Sequence, residues 1–354
     1  MDARPRTISL RDQEISYSAA LNEALRGEMK RDPNVFVMGE DIARWGDRGG
    51  VFGVTRGLFD EFGGTRVRDT PISEEGIVAL GVGAAMTGTR PVVELMYSDF
   101  LTLAMDPLVN QAAKIRYMFG GQAHVPLVVR TNGGASGGKA AQHSQSLESL
   151  LYHVPGLKIA VPAIASDAKG LLITAIRDDN PVIFLEHKNL YFVKGLVPEE
   201  HLPTPFGHAR VVRDGSHLTV VATQTMVYAA IRAAEVLAED GFELEVIDPR
   251  TLVPFDLETV IASVRKTNRL LVCHEAAQRG GWAGDVIADV ISEAFDYLDA
   301  PPMRVGSKNL PVPYSEPLEN YVIANDDDII AAARLALAGS DRSILDSGLL
   351  EPGT

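Results

Sequence analysis

Apolar residues recur along the chain with two different spacings. Short runs rich in β-branched residues alternate with longer segments in which apolar residues lie three or four positions apart. This alternation is typical of strands joined by crossover helices, and it predicts parallel α/β sheets. In the first part of the chain the predicted strands are 35–38, 66–68, 91–96, 125–130, 157–161 and 181–186. The predicted helices there are 18–31, 73–85, 99–118, 141–152 and 166–178.

The same pattern restarts after an irregular segment. Pro198, Pro203 and Pro205 interrupt the periodicity and indicate an exposed linker. Beyond them the predicted strands are 218–222, 244–247 and 269–273, and the predicted helices are 227–238, 257–264 and 284–295. The predicted fold class is therefore α/β, with two parallel-sheet domains. We expect a first domain over 1–200, a linker over 201–214, a second domain over 215–340 and a tail over 341–354.

Composition narrows the classes of partner and compartment. Of the 354 residues, 46% are hydrophobic and 23% are charged, which is enough apolar material for two cores. The net charge of −14 repels phosphate groups, so we expect neither nucleic acid nor a membrane surface as partner. The single cysteine, Cys273, fits a reducing compartment. No run approaches the roughly 18 apolar residues of a membrane span, and no signal peptide is visible, so the expected location is cytoplasmic.

Three local motifs carry candidate chemistry. The loop 134–138 reads G-A-S-G-G and matches the nucleophile elbow of serine hydrolases, with Ser136 as nucleophile. The alternative for this loop is a flexible segment that borders a ligand. His143 follows it at a predicted helix start, where either a structural or an acid–base role is open. Glu74 lies in the first turn of a predicted helix, where capping alone would explain a carboxylate.

Five further motifs occur in a fixed order over about a hundred residues. They read D-T-P-I-S-E at 69–74, G-T-R-P-V-V-E-L-M at 88–96, N-Q-A-A-K at 110–114, A-A-Q-H-S-Q at 140–145 and D-A-K-G-L-L at 167–172. Together they resemble the beta subunit of the thiamine-diphosphate-dependent decarboxylase component of 2-oxo acid dehydrogenase complexes. The resemblance covers nearly the whole chain, because D-P-R-T-L-V-P-F-D at 248–256 and P-V-P-Y at 311–314 also belong to it.

The resemblance implies an active site shared between chains. It implies an N-terminal domain that binds the thiamine pyrimidine and a C-terminal transketolase-like domain. An alpha subunit would supply the diphosphate site and Mg²⁺, in a heterotetramer of two alpha and two beta chains. The sequence agrees, because it lacks the G-D-G motif with a following Asn that marks the diphosphate-binding half. The acyl product would pass to the lipoyl arm of an acyltransferase core.

Residue roles also follow from the resemblance. It implies that Glu74 hydrogen-bonds the aminopyrimidine ring and that Phe100 stacks on its face. Glu40 resembles a second carboxylate near the cofactor, and His143 resembles the histidine that assists acyl transfer. Backbone ligands of a potassium ion are implied at Leu127, Ala175, Asp178 and Asn180.

The substrate is open at this level. The expected reaction is the oxidative decarboxylation of pyruvate or a related 2-oxo acid. The alternative is acetoin cleavage, because E-L-M-Y-S-D-F at 94–100 and I-R-Y-M-F-G-G at 115–121 look more like the acetoin branch. A serine hydrolase that uses Ser136 is the remote alternative.

Overall fold

A computed structural model describes residues 12–43 and 49–338 of the chain, which divides into two compact units. The first unit comprises Met1–Asn132 and Val154–Phe206, and the second comprises Gly133–His153 and Gly207–Thr354. The segment 133–153 thus belongs to the second unit, although it precedes the predicted linker. The predicted domain boundaries themselves stay a prediction, and the predicted tail 341–354 lies outside the described residues.

The first unit is built on a parallel sheet. Its strands are β2 (Val35–Gly39), β3 (Val67–Asp69), β4 (Arg90–Leu95), β5 (Val128–Gly133), β6 (Lys158–Ala160) and β7 (Val182–His187). They lie in the order β6-β7-β5-β4-β2-β3. Separately, β1 (Asp12–Ser16) and β8 (Lys194–Pro198) form an antiparallel pair. The central strands β2 and β7 are buried along their whole length, which is typical of a parallel sheet covered by helices on both faces.

Five α-helices belong to the described part of this unit. They are α1 (Tyr17–Arg31), α2 (Leu58–Phe62), α3 (Glu74–Met86), α4 (Ala113–Met118) and α6 (Ala165–Arg177). Ser16 caps α1 by accepting a hydrogen bond from the backbone N–H of Ala19 at 3.2 Å. The predicted helical stretch 99–118 is helical, but only its last part is an α-helix, because a 3₁₀ segment (Ser98–Ala104) and a π segment (Asp106–Ala112) precede α4. Pro107 lies in the first turn of the π segment and has no N–H for a regular helix.

The second unit has its own sheet. This sheet contains β9 (Arg210–Arg213), β10 (Leu218–Ala222), β11 (Leu244–Asp248), β13 (Leu270–Ala277) and β14 (Met303–Ser307), and the unit also contains the short strand β12 (Thr251–Val253) outside this sheet. Five of them lie in the order β14-β13-β10-β11-β9, and all pairs except β9–β11 are parallel. Its helices are α5 (Glu148–Tyr152), α7 (Thr225–Glu239), α8 (Leu257–Thr267), α9 (Ala283–Ala294), α10 (Glu316–Val322) and α11 (Asp326–Ala338). The expectation of two α/β domains with parallel sheets is confirmed.

The predicted helix 141–152 is wrong over most of its length, because α5 begins only at Glu148. The preceding residues form a loop closed by a hydrogen bond from the N–H of Gly134 to the carbonyl of Gln145 at 3.2 Å. Ala140, immediately before the predicted start, adopts a left-handed backbone with φ of 58°, so the chain does not enter a right-handed helix at this residue. His143 therefore lies in a loop rather than at a helix start.

Within the described residues, none of the helices has the length and apolar character that crossing a membrane requires.

A buried histidine lies in the core of the second unit. The ring of His274 is fully buried, its Nδ1 lies 3.1 Å from the carbonyl oxygen of Ala276, and its centroid lies 5.5 Å from the Trp282 ring. A Cβ atom on Gly281 would come within 2.1 Å of its Nε2, so the backbone packs directly against the imidazole. Burial lowers the pKa of His274 from 6.5 to about 4, because a charged ring would be desolvated here.

We expect His274 to make the protein sensitive to mild acid. The unfolded chain binds a proton near pH 6.5 whereas the folded chain resists it down to about pH 4, so stability is full above pH 6.5 and falls below it. The loss should approach about 3 kcal/mol at pH 4. Urea unfolding between pH 7.5 and 4.5 measures it. His274→Asn keeps a donor for Ala276 and cannot titrate, so the variant should lose less stability over this range. Equal pH dependence of variant and wild type would contradict the assignment.

Candidate active site

Acidic side chains gather at the carboxyl edge of the first unit's sheet. Glu40 directly follows β2, and Glu74 begins α3 shortly after β3. The strands β3, β2 and β4 are parallel neighbours, so the residues after them meet at one edge. Tyr97 follows β4 at the same edge. The predicted pair Glu40 and Glu74 therefore lies together in this unit.

The two carboxylates influence each other. Burial raises the pKa of Glu40, and the neighbouring charges of Asp41 and Glu74 raise it further. Glu74 is only 8% exposed, whereas the adjacent Glu75 is exposed. The position of Glu74 at the first residue of α3 also places its charge at the positive end of the helix dipole. The two carboxyl groups thus lie close enough for the charge of Glu74 to act on Glu40.

Tyr97 and Asp99 extend the site beyond the predicted residues. Burial raises the pKa of Tyr97, and the charges of Asp99 and Glu40 add to the effect. The Lys188 ammonium lies 4.7 Å from the centre of the Tyr97 ring. Phe100 is half-buried and follows Asp99 in the 3₁₀ segment. The run E-L-M-Y-S-D-F indicates a site in the sequence, because it concentrates aromatic and acidic residues directly after a strand. Only Phe100 was predicted from it.

A buried ion cluster lies beneath this edge. The Arg130 guanidinium donates to Glu186 at 2.7 and 2.8 Å and to Glu94 at 2.5 Å, and all three side chains are buried. Burial by itself would lower the pKa of Arg130, but the two carboxylates outweigh it and raise the pKa above its ordinary value. Arg130 therefore stays charged, and it compensates two acidic groups that could not be buried alone.

Two aromatic rings connect this cluster to Tyr97. The Tyr191 hydroxyl donates to Glu186 at 2.6 Å, and its ring stacks on Phe52 with centroids 4.5 Å apart. Phe52 in turn contacts Tyr97 edge-on at 6.4 Å between centroids. The cluster thus supports the side of the site that carries Tyr97.

Several polar atoms at the same edge have no partner in the described structure. The hydroxyls of Thr70 and Thr131 and the amide oxygen of Asn132 are buried and lack hydrogen bonds. Buried groups of this kind ordinarily find a ligand or water. Together with Phe100 and the Glu40–Glu74 pair, they fit a polar aromatic ring such as the aminopyrimidine of thiamine. The described residues include no group of His, Cys, Asp and Glu able to hold a metal ion.

In the second unit, backbone N–H groups of the glycine-rich loop donate hydrogen bonds to two carboxylates. The N–H of Ala135 donates to Glu275 at 2.7 Å, and those of Gly137 and Gly138 donate to Glu319 at 2.8 and 2.9 Å. The Ser136 hydroxyl is buried and has no hydrogen-bond partner among the described residues. Among the described residues no base contacts the Ser136 hydroxyl, and carboxylates already accept from the N–H groups of Ala135, Gly137 and Gly138, so the serine hydrolase alternative loses its support.

His143 lies five residues after Gly138, in the segment that continues the glycine-rich loop. It is half-buried, and its N–H donates to the carbonyl of Ala140 at 3.3 Å. The same unit contains a cavity of about 320 Å³ that is lined by the loop residues 141 and 144–147 on either side of His143 in sequence and by the ends of β13 and β14. The Ser144 hydroxyl is buried at this cavity and has no partner in the structure. The other predicted site residues belong to the first unit.

The predicted potassium ligands form a cluster around the start of β7. The carbonyl of Leu127 accepts from the N–H of Val182 at 2.8 Å, and that of Ala175 accepts from Asp178 at 3.3 Å. Arg90 donates to the Asp178 carbonyl at 3.0 Å, and the Asp178 carboxylate binds the N–H of Asn180 at 2.9 Å. Each of these carbonyl oxygens keeps a second lone pair. The potassium site stays a prediction.

Comparison with known families matches both parts of the chain. The model described as "Transketolase, pyrimidine binding domain" matches residues 13–194. The model described as "Transketolase, C-terminal domain" matches residues 207–329. A solved structure described as "Split gene transketolase, inactive beta4 tetramer" has a TM-score of 0.74 at 21% identity and covers 92% of this chain and 98% of its own. That likeness supports the fold.

Curated relatives are considerably more similar in sequence. The acetoin:2,6-dichlorophenolindophenol oxidoreductase subunit beta of Cupriavidus necator is 47% identical, over 92% of this chain and 98% of its own length. The corresponding protein of Bacillus subtilis is 46% identical over 90% of this chain and 95% of its own length. The pyruvate dehydrogenase E1 component subunit beta of Rickettsia felis is 47% identical, over 91% of this chain and 98% of its own length.

Proposed function

We propose a function from one premise: this chain belongs to the family of E1 beta subunits of 2-oxo acid and acetoin dehydrogenases, which are thiamine-diphosphate-dependent oxidoreductases. The proposed activity is the oxidative decarboxylation of pyruvate or a related 2-oxo acid, with transfer of the acyl group to a lipoyl arm. The observation that carries it is the pairing of buried Glu74 with Glu40 at a sheet edge rich in unpartnered polar atoms.

Thiamine diphosphate would supply a thiazolium carbon that loses a proton and attacks the substrate carbonyl. We assign Glu74 the task of hydrogen-bonding the aminopyrimidine ring, because its carboxyl group is buried at the first residue of α3. Glu40, whose pKa is raised, would supply a second acidic group nearby. Phe100 would pack against the ring. His143 would assist acyl transfer to the lipoyl arm.

The proposed assembly contains two alpha and two beta chains, with a lipoyl acyltransferase core as acceptor. The name "subunit beta" of the relatives supports an alpha partner. The exposed face of α3 supports it too, because Leu80 is 64% exposed beside Gly83 and Met86 on a helix whose residues after Glu75 are all apolar or glycine. We assign Mg²⁺ and the diphosphate to the alpha subunit, and K⁺ to the loop around Asp178. The single buried cysteine, Cys273, fits a cytoplasmic setting.

Acetoin is the second candidate substrate. The identities of 47% and 46% to two acetoin oxidoreductase beta subunits support it as strongly as the 47% to a pyruvate dehydrogenase supports pyruvate. Dye reduction by the assembled enzyme, with pyruvate and acetoin supplied separately at equal concentration, distinguishes the two.

Calorimetry tests the shared site. We expect no tight binding when thiamine diphosphate with Mg²⁺ is titrated into this chain alone, because the chain offers no group for the metal among its described residues. Binding should appear once the alpha subunit is present. The alpha subunit titrated alone is the control. Micromolar binding to this chain without a partner would contradict the shared site.

A further inference from the structure

Both carboxylate oxygens of Glu319 accept hydrogen bonds from the glycine-rich loop. Oε1 accepts from the N–H of Gly137 at 2.8 Å, and Oε2 accepts from the N–H of Gly138 at 2.9 Å. Glu319 lies on α10 and is 5% exposed. A carboxylate buried to this extent needs compensation, and two charge-assisted hydrogen bonds supply it. The contact joins positions 182 residues apart in sequence.

A second carboxylate holds the beginning of the same loop. Glu275, near the end of β13, accepts from the N–H of Ala135 at 2.7 Å and from the Thr225 hydroxyl at 3.0 Å. The N–H of Gly134 donates to the carbonyl of Gln145, which closes the loop at its base. The loop that contains His143 is therefore fixed at its base and along its first five residues.

Ser307 connects the backbone segments that carry the two carboxylates. The Ser307 hydroxyl, at the end of β14, donates to the carbonyl of Glu275 at 2.5 Å and accepts from the N–H of Ala324 at 3.1 Å. The N–H of Lys308 also donates to the carbonyl of Val322, the last residue of α10, at 2.9 Å. The end of α10 and the residue Ala324 beyond it are thus hydrogen-bonded to Ser307 and Lys308, and Ser307 is hydrogen-bonded to the backbone of Glu275.

The backbone conformation of two glycines makes the hydrogen bonds to Glu319 possible. Gly137 and Gly138 have φ values of +73° and +67°, and both lie in the left-handed region that side chains disfavour. This backbone turns two successive N–H groups towards one carboxylate, as in other anion-binding turns. Here the anion is part of the protein. The G-A-S-G-G motif thus has a structural use that does not involve Ser136.

We propose that Glu319 is a positioning residue for His143. By holding Gly137 and Gly138 it would fix the loop from which His143 projects, five residues further on, and so set where the imidazole stands during acyl transfer. The inference rests on the proposed function, which gives His143 that role. Glu319 itself would not touch the substrate, because both its oxygens are bonded to the loop.

Glu319→Gln in the assembled enzyme tests the proposal. The amide keeps the size of the side chain but turns an NH₂ group towards one of the two backbone donors, so one hydrogen bond becomes a repulsion. Reductive acylation of a lipoyl-lysine peptide should slow by roughly 10- to 100-fold, the scale of a misplaced catalytic group. Exchange of the thiazolium proton, assigned to Glu74, should not change. Glu316→Gln, an exposed change on the same helix, should leave both rates unaltered.

A double variant separates positioning from a general structural role. If Glu319 acts through His143, then His143→Ala combined with Glu319→Gln should be hardly slower than His143→Ala alone. Losses that multiply would overturn the proposal, and so would normal acylation by Glu319→Gln when His143→Ala is impaired. If His143→Ala itself acylates normally, the proposed role of His143 fails and the positioning inference fails with it.

Hydrogen exchange measures how firmly Glu319 holds the glycine-rich loop, and it requires no enzyme activity. Peptides that contain residues 133–140 should exchange faster in Glu319→Gln than in Glu316→Gln or the wild type, because the N–H groups of Gly137 and Gly138 lose a carboxylate. Unchanged exchange over this segment would show that Glu319 does not hold the loop, and it would overturn the inference independently of the role of His143.

Discussion

Glu74→Gln should lower turnover of the assembled enzyme by roughly 10² to 10⁴, or about 3 to 5 kcal/mol of barrier. The substitution preserves the size of a buried side chain and the start of α3, but it removes the proton that the carboxyl group would share with the aminopyrimidine. Dye reduction, which bypasses the acyltransferase core, measures turnover, and NMR measures exchange of the thiazolium proton.

Glu75→Gln is the matched control for this experiment. Glu75 is the next residue of the same helix and is exposed, about 100° around the helix axis from Glu74. Its loss should leave turnover within a few-fold of the wild type, and sedimentation should show both variants in intact assemblies. Wild-type turnover and proton exchange in Glu74→Gln would remove Glu74 from the chemistry and with it the main support for the proposed function.

Arg130→Met should be among the most destabilising substitutions in the first unit. It leaves Glu94 and Glu186 buried without their shared cation, and breaking a buried ion pair in this way costs about 3 to 5 kcal/mol. Thermal and urea unfolding of the purified protein at pH 7.5 should both report the loss. At pH 5 the loss should be smaller, because burial raises the pKa of Glu186 and the carboxyl can take up a proton.

Two further variants give this experiment its controls. Lys30→Met breaks the partly exposed pair with Glu61, whose atoms lie 2.7 Å apart, and it should cost below about 1 kcal/mol. Adding Glu94→Gln and Glu186→Gln to Arg130→Met should restore part of the stability, because the uncompensated charges are then gone. If Arg130→Met were as stable as Lys30→Met, the cluster would contribute nothing to the fold.

Local periodicity was enough to predict most of the regular elements. Apolar spacing predicted α1 and α7 to within a few residues, because each buries one continuous face whatever its partner is. It also predicted α6, which is buried on most of its sides. Residues that depend on distant partners were not predictable in this way. Tyr97, Lys188 and Arg130 join the first unit's site only because strands far apart in sequence end at the same edge. Nothing in the immediate neighbours of Lys188 and Arg130 distinguishes them from surface or core residues, whereas Tyr97 lies in a run of aromatic and acidic residues from which only Phe100 was predicted.

The sequence by itself determined the α/β class, the two-domain organisation and, through its ordered motifs, membership of the family. These properties follow from patterns that neighbouring residues carry. Tertiary structure alone decided that Glu40 and Glu74 repel each other at one sheet edge and that 141–147 is a loop. The physical reason is the same in both cases. A carboxylate acts on whatever the fold brings near it, and Glu319 lies 182 residues from the glycine whose N–H it binds.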